Sequence, residues 1–339
     1  MHLNALQKNL LHYLVLTLLL VFSLGAKASA ETPEFISLIV ENDFFVGDDS
    51  GYTSGVGITF GKGPFLAFDK NNLPNWLHWI TQDLYISTMN NKQRGVAHMF
   101  FQRIQTPENI RSKEIVQDDI PYAGLLAWQG TLYAWDDQVS DHLSLYLGAV
   151  GPITLAEQSQ ALAHKILGSQ QPQGWEHQIG NEPIFKIEAQ RAWTLFRSDD
   201  EEHQLDIIGL YGGGIGNLES DTKAGIALRW GSHLAHSFST FSLDADRQAN
   251  PLAFSIEKNF YLFIGAKLGV VFNSILIEGN TFKSSHSAHL KHSQNQVSAG
   301  AVWNIGKLSS VFQLSSVSFL TKVTDERDTF GAVSFSYGY

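Results

Sequence analysis

The chain has 339 residues, no cysteine, 23 basic against 33 acidic residues and a formal charge of −10. The missing cysteine excludes disulfides, thiolate nucleophiles and cysteine-held metals; the acid surplus argues against nucleic acid, whose binding rests on Lys and Arg neutralising phosphates, and favours bound cations. Charged residues reach only 17%, below the ~25% of a soluble domain, and a mean hydropathy of −0.08 excludes a helical membrane protein but not a barrel, half of whose strand positions face a polar lumen.

The first thirty residues read as a signal peptide rather than as part of the fold. Lys8 gives a weakly basic start, an apolar stretch runs from Leu10 to Leu24, and Ala28 and Ala30 stand at −3 and −1 of a cleavage site. A transmembrane anchor needs about 20 apolar residues, and this run is shorter and interrupted by His12 and Tyr13. Cleavage after Ala30 leaves 309 residues (339 − 30) forming one domain, 31–339. It also removes Lys8 and Lys27, so 21 basic stand against 33 acidic residues, a balance of −12.

From there the period is two, and about a dozen strands follow. The first spans 35–43, with Ile36, Leu38 and Val40 toward lipid and Ser37, Glu41 and Asp43 inward. The second spans 52–61, with Thr53, Gly55, Gly57 and Thr59 inward. Others are expected at 95–106, 122–136, 141–151, 184–197, 203–215, 222–232, 257–274, 291–304, 308–321 and 329–339. The last ends "FGAVSFSYGY", with Val333, Phe335, Tyr337 and Tyr339 on one face, in the manner of the closing strand of bacterial outer-membrane barrels. The expected fold is a transmembrane antiparallel all-β barrel of about twelve strands.

Parity sorts the connections, because both barrel termini face the periplasm. "WDDQVSD" (135–141), "RSDDEEH" (197–203) and Gly306-Lys307 are then short periplasmic turns. Two periplasmic connections are longer. In 72–85, Trp76, Leu77, Trp79, Ile80 and Leu84 fall at helical spacing, predicting an interfacial amphipathic helix; 233–256 is polar and Ser-rich, and reads as an ordinary loop. On the outer side, 152–183 carries Leu155, Leu162, Ile166 and Leu167 at helical spacing with Gly168 at the C-cap, predicting a short helix across the barrel mouth that bears His164.

Parity also gathers Asn42 and Asp43, Thr53, the 106–121 loop and His164 at the same outer end. Each alone reads most simply as a solvated loop residue, and a lone helical histidine is more often structural than catalytic. Together they are the parts of ester hydrolysis: a histidine base for water, a carboxylate or amide for a cation, and donors for an oxyanion. "GDDSG" (47–51) lacks the ligand spacing of a calcium-binding helix–loop–helix site, and the His-rich "HSAHLKHS" (286–293) reads as a solvated loop.

Five segments carry a resemblance over essentially the whole mature chain: "ENDFF…YTSG" (41–55), "FFQRIQTPENI" to "DDIPYAG" (100–124), "AHKILGSQQPQGWEHQIGNEP" (163–183), "ILIEGNTF" (275–282) and the terminal strand. Their order and spacing resemble the lipid A 3′-O-deacylase family of outer-membrane barrels. That resemblance implies a twelve-stranded barrel and Ca²⁺-dependent removal of 3′-linked acyloxyacyl chains from lipid A of lipopolysaccharide in the outer leaflet. It implies His164 as the base that activates water and Asp43 as a calcium ligand, with Asn42 and Thr53 helping to stabilise the oxyanion. The family lysine falls nearest to Lys113, across a two-residue length difference. A family glutamate six residues after the histidine, near the metal, is Gln170 here. The rival readings are a barrel without catalysis, acting as a channel or structural protein, and another outer-membrane lipase such as a phospholipase.

Overall fold

The computed structural model describes residues 34–42, 52–117, 119–238, 241–243, 258–318, 321 and 327–339. Twelve strands, each antiparallel to its neighbours, close into a barrel when β1 (Glu34–Asn42) pairs with β12 (Arg327–Gly338). Between them run β2 (Tyr52–Phe65), β3 (Gln93–Gln105), β4 (Ala123–Trp135), β5 (Val139–Val150), β6 (Glu182–Arg197), β7 (Gln204–Gly216), β8 (Glu219–Gly231), β9 (Asn259–Ser274), β10 (Ser293–Ile305) and β11 (Leu308–Ser318). The expected fold and strand count are those observed. β2 runs on past Gly61 to Phe65, where a register irregularity lets Pro64 stand in the strand without breaking the ladder. The predicted signal peptide lies outside the described residues.

Alternation decides which side chains see lipid. In β1, Phe35, Ser37, Ile39 and Glu41 are buried inside, while Ile36, Leu38 and Val40 are half-buried outside. In β6, Phe185 and Ile187 are exposed and Ile184, Lys186 and Glu188 are buried. No helix among the described residues is long and apolar enough to cross a membrane. The strands do the crossing, since a closed sheet pairs every backbone N–H and C=O.

The start of β1 and the end of β12 meet at one end, where Tyr339 N–H donates to Glu34 O at 2.8 Å. At this terminus end the connection after β2 forms two short helices, α1 (Asn75–Thr81) and α2 (Tyr85–Thr88), where one helix was expected. Leu77 and Leu84 pack on a cluster with Phe65, Ile86, Val96 and Leu132, while Trp76, Trp79 and Ile80 stay exposed. Arg94 fixes this connection by donating to the carbonyls of Leu66 (2.6 Å) and Ser87 (3.1 Å).

The connection after β8 corrects the expectation of an ordinary loop. Its described part, 232–238 and 241–243, enters the lumen. Leu234, Phe238, Phe241 and Leu243 join the inward-facing Ile208, Leu210, Tyr261 and Phe263 in one buried cluster. The fully buried Arg229 ties it down, bonding Asp206 at 2.6 and 2.9 Å, Ser237 Oγ at 2.9 Å and Leu234 O at 2.9 Å. The polar, Ser-rich character of 233–243 hid four apolar anchors at irregular spacing.

The loop half of the lumen holds charge. Lys186 pairs with Glu188 (3.3 Å), Glu219 (2.9 Å) and Asp221 (2.6 Å), and Lys223 with Glu188 (3.3 Å). At the loop end, opposite the termini, α3 (Ala156–Leu167) and α4 (Ile275–Glu278) form. Leu276 packs onto the inward cluster of Ile39, Phe101 and Leu125, and its carbonyl accepts from Gln105 Nε2 at 2.7 Å. The His-rich stretch is partly seated rather than solvated: Ala288 and Leu290 are buried, and His292 Nδ1 bonds Val271 O at 2.7 Å.

Candidate active site

The helix carrying His164 does not cross the barrel mouth; it lies against the outside of the wall. Strand alternation turns Gln102, Ile104 and Gly124 outward, and these are what α3 and the turn before it touch. Ile104 clusters with Tyr122, Ala156 and Trp175. Gln102 Nε2 donates to Thr154 O at 2.6 Å. Gly124 is bare for a reason: a Cβ there would lie 2.1 Å from Thr154 Oγ1 and 2.4 Å from the Ala156 Cβ.

The face of α3 turned to the wall is also not the one its apolar spacing suggested. Ala156, Gln160 and His164 are buried, four residues apart, while Leu155, Leu162 and Ile166 are exposed. The physical reason is the solvent. Outside a barrel wall the surroundings are themselves apolar, so the leucine stripe faces away and the small and polar face seats on the protein. Nothing is described of the Leu167 side chain.

His164 is 5% exposed. Helix α3 ends at Gly168, whose φ of +72° is open to glycine at little cost. The chain doubles back there, with Ser169 N–H donating to His164 O at 2.9 Å, and the carbonyl of Gln170 meets His164 Nδ1. A carbonyl only accepts, so Nδ1 carries a proton, and in the neutral ring the lone pair falls on Nε2. Gln170 thus acts on the histidine through its main chain, which an amide or a carboxylate side chain serves equally. Its own side chain is exposed.

The remaining predicted residues fall as follows. Register places Asn42 opposite Ser54, Ser54 opposite Ile104 and Ile104 opposite Gly124, one rung across β1 to β4 on the outer face. At ~4.8 Å per strand, Asn42 stands about 10 Å from Ile104, against which α3 seats. Thr53 occupies a register shift between Tyr52 and Ser54 in β2, where the alternation that would turn it inward is interrupted; its side chain is outside the described part. Asp43 and the "GDDSG" turn lie outside the described residues. Lys113 is exposed on the β3–β4 connection. That connection leans on the segment following α3, where Gln173 N–H donates to Ile110 O at 2.9 Å and a Cβ on Gly174 would lie 3.1 Å from Ser112 O.

Sequence reasoning missed the residues that hold this arrangement. Trp175 Nε1 donates to Gln160 Oε1 at 2.8 Å, tying the returning segment to the helix one turn before His164, and the buried Gln160 Nε2 has no partner among the described residues. The Tyr122 and Trp175 rings lie 5.0 Å apart. Asp119 accepts N–H bonds from Glu108 (2.9 Å) and Ile120 (2.7 Å), although burial raises its carboxyl above the ordinary range; burial lowers His286 nearby. Asn280 clasps two loops: Oδ1 accepts from Gly180 N–H (2.7 Å), and Nδ2 donates to Gly180 O (2.8 Å) and Glu182 (3.0 Å). The recurring i, i+4 pair Gln160–His164 was the one signal available for Gln160.

A family model described as outer membrane protein LpxR matches residues 14–339. No curated protein matches the chain. Among solved structures, LpxR from Salmonella typhimurium superposes with a TM-score of 0.75 at 15% identity, covering 89% of this chain and 99% of that one. The beta domain of the Bordetella autotransporter BrkA follows at 0.43 and 8% identity, covering 91% and 99%. The translocator domain of NalP from Neisseria meningitidis gives 0.39 and 10%, covering 97% and 96%. The Salmonella barrel shares the fold. With its family model spanning nearly the whole sequence, this chain belongs to the outer membrane protein LpxR family, the lipid A 3′-O-deacylase barrels that its motifs resemble.

Proposed function

We propose that the protein hydrolyses the ester linking the 3′ acyloxyacyl chain of lipid A, at a site between the outer barrel wall and α3 in the extracellular leaflet. The observation that carries this reading is His164, buried against the wall with Nδ1 committed to a backbone carbonyl; we assign Nε2 the role of base. In the proposed reaction Nε2 takes a proton from water as the oxygen adds to the ester carbonyl carbon. The same proton then passes to the departing 3′ oxygen, giving a free acyloxyacyl acid and a 3′-hydroxyl, with no serine nucleophile. General base catalysis of this kind contributes about 10²–10⁴-fold. The exposed leucine stripe of α3 supports a lipid substrate approaching from the bilayer.

Calcium enters as part of the proposal. Among the described residues no group of three acidic or histidine side chains is arranged to hold a metal. Asn42 supplies an amide oxygen at the end of β1, Gln170 a second amide, and Asp43 the carboxylate the family resemblance assigns. Oxygen donors of this kind suit Ca²⁺, which takes 6–8 of them, better than a softer metal. A bound cation would place positive charge beside the ester carbonyl oxygen.

The test is mass spectrometry of products from purified protein given lipid A and phospholipid together, with Ca²⁺ and then with chelator. Loss of one acyloxyacyl group from lipid A, stopped by chelation and restored by calcium, is expected. Cleaved phospholipid with intact lipid A would favour the phospholipase reading. Undiminished cleavage in chelator would remove calcium from the account.

A further inference from the structure

At the terminus end, the same wall carries a second feature that the hydrolytic site does not use. Between α1–α2 and the outer face of β3–β6 lies a cavity of about 380 Å³, walled almost entirely by carbon. Trp76, Ile80 and Leu84 roof it, and Trp128, Leu145 and Ile187 line the wall. Its floor is built to stay open. Trp128 stacks on His98 with ring centroids 5.8 Å apart and lies flat over Gly130, where a Cβ would come within 2.6 Å of the indole. At the rim stands Tyr85. Four residues beyond Ile187 on the same outward face of β6, Arg191 grips Asp141 through Nε (2.7 Å) and one terminal nitrogen (3.1 Å). The Arg191 side chain remains 42% exposed.

We propose that this cleft is a binding site for one glycerophospholipid of the periplasmic leaflet, with an acyl chain between α1 and the wall and the phosphate at Arg191. Three observations choose that occupant. The lining comes from outward strand positions, the surface that bilayer chains touch. The roof exposes Ile80 together with Trp76 and Trp79, and tryptophan is enriched at membrane–water interfaces. The rim offers a guanidinium with donors to spare, matched to a phosphate rather than to water alone. Lipid A in the opposite leaflet is too far away: Val96 in the cleft and Ile104 beside α3 are eight residues apart on β3, about 26 Å along a strand. The proposal is independent of the hydrolytic reading.

Full-length protein is to be released from micelles containing dioleoyl phosphatidylethanolamine and weighed by native mass spectrometry. Leu145→Trp fills the cleft, and Leu147→Trp, the next outward position on β5, leaves it open. The wild type and Leu147→Trp are expected to retain one phospholipid, and Leu145→Trp to retain at least about tenfold less. Equal retention by all three, a lipid-free wild type, or retention of lipid A or detergent instead would overturn the assignment. Should Leu145→Trp fail to fold, a phosphatidylethanolamine with a photoreactive acyl tail replaces it. Crosslinks to the wild type within 76–85 or 128–145 support the site, and crosslinks confined to other wall segments refute it.

Discussion

At the scale of single residues, the proposed site depends on small bonds that place one imidazole. The Gln170 carbonyl sets the tautomer of His164 and the Trp175 indole fixes Gln160 one turn earlier. Replacing Gln160 by Ala leaves the buried indole N–H without its acceptor, a cost of about 1–3 kcal/mol. The expected outcome is a barrel that still folds but melts earlier, with hydrolysis reduced because α3 is less firmly seated. A thermal midpoint equal to wild type would show that this bond contributes nothing. The sequence singled out His164 through the motif around it, and the structure buries it on the face of α3 turned to the wall. Gln160 was marked only by its i, i+4 spacing to His164, because a glutamine inside a helix carries no mark of what its amide will meet. The departure at Gln170 looked, in sequence, like a missing metal ligand; the bond observed is to its backbone, which no side-chain comparison can reveal.

Among elements, the loops work in clasped pairs. Asn280 imitates a strand partner for Gly180 and draws Glu182 into the same knot. "IGNEP" and "ILIEGNTF" therefore hold one another, although nearly 100 residues separate them. Asn280→Ala removes three bonds around the backbone of 180–182 and should cost about 1–3 kcal/mol. It should also raise protease sensitivity of the 168–182 segment, read as cleavage sites by mass spectrometry. Unchanged digestion would show the clasp to be dispensable. The strands were readable because alternation reports directly on a wall with lipid on one side. The same rule misled on α3, whose apolar stripe faces outward: a hydrophobic face in a membrane protein marks contact with lipid as readily as contact with the core.

At the scale of the whole molecule, the barrel is obstructed along its lumen, although cavities of about 150 and 230 Å³ remain beside the Lys186 cluster. Phe238, Phe241 and Leu243 occupy the terminus end, and the Lys186 carboxylate cluster lies in the loop half beneath Leu276. The protein is therefore expected to give no steady ion conductance in planar bilayers, and a stable open channel would contradict this filling. Composition and period two announced the barrel and its twelve strands; its plug they did not, since 233–243 has neither periodicity nor an apolar run to betray it. The proposed chemistry therefore lies on the outside of the wall, where α3 meets β3 and β4. The most direct test of that claim is release of the acyloxyacyl group from lipid A by His164→Ala, measured by mass spectrometry on protein whose folded barrel is verified by heat-modifiable gel migration. The account predicts a fall of at least about 10²-fold; activity equal to wild type would contradict it.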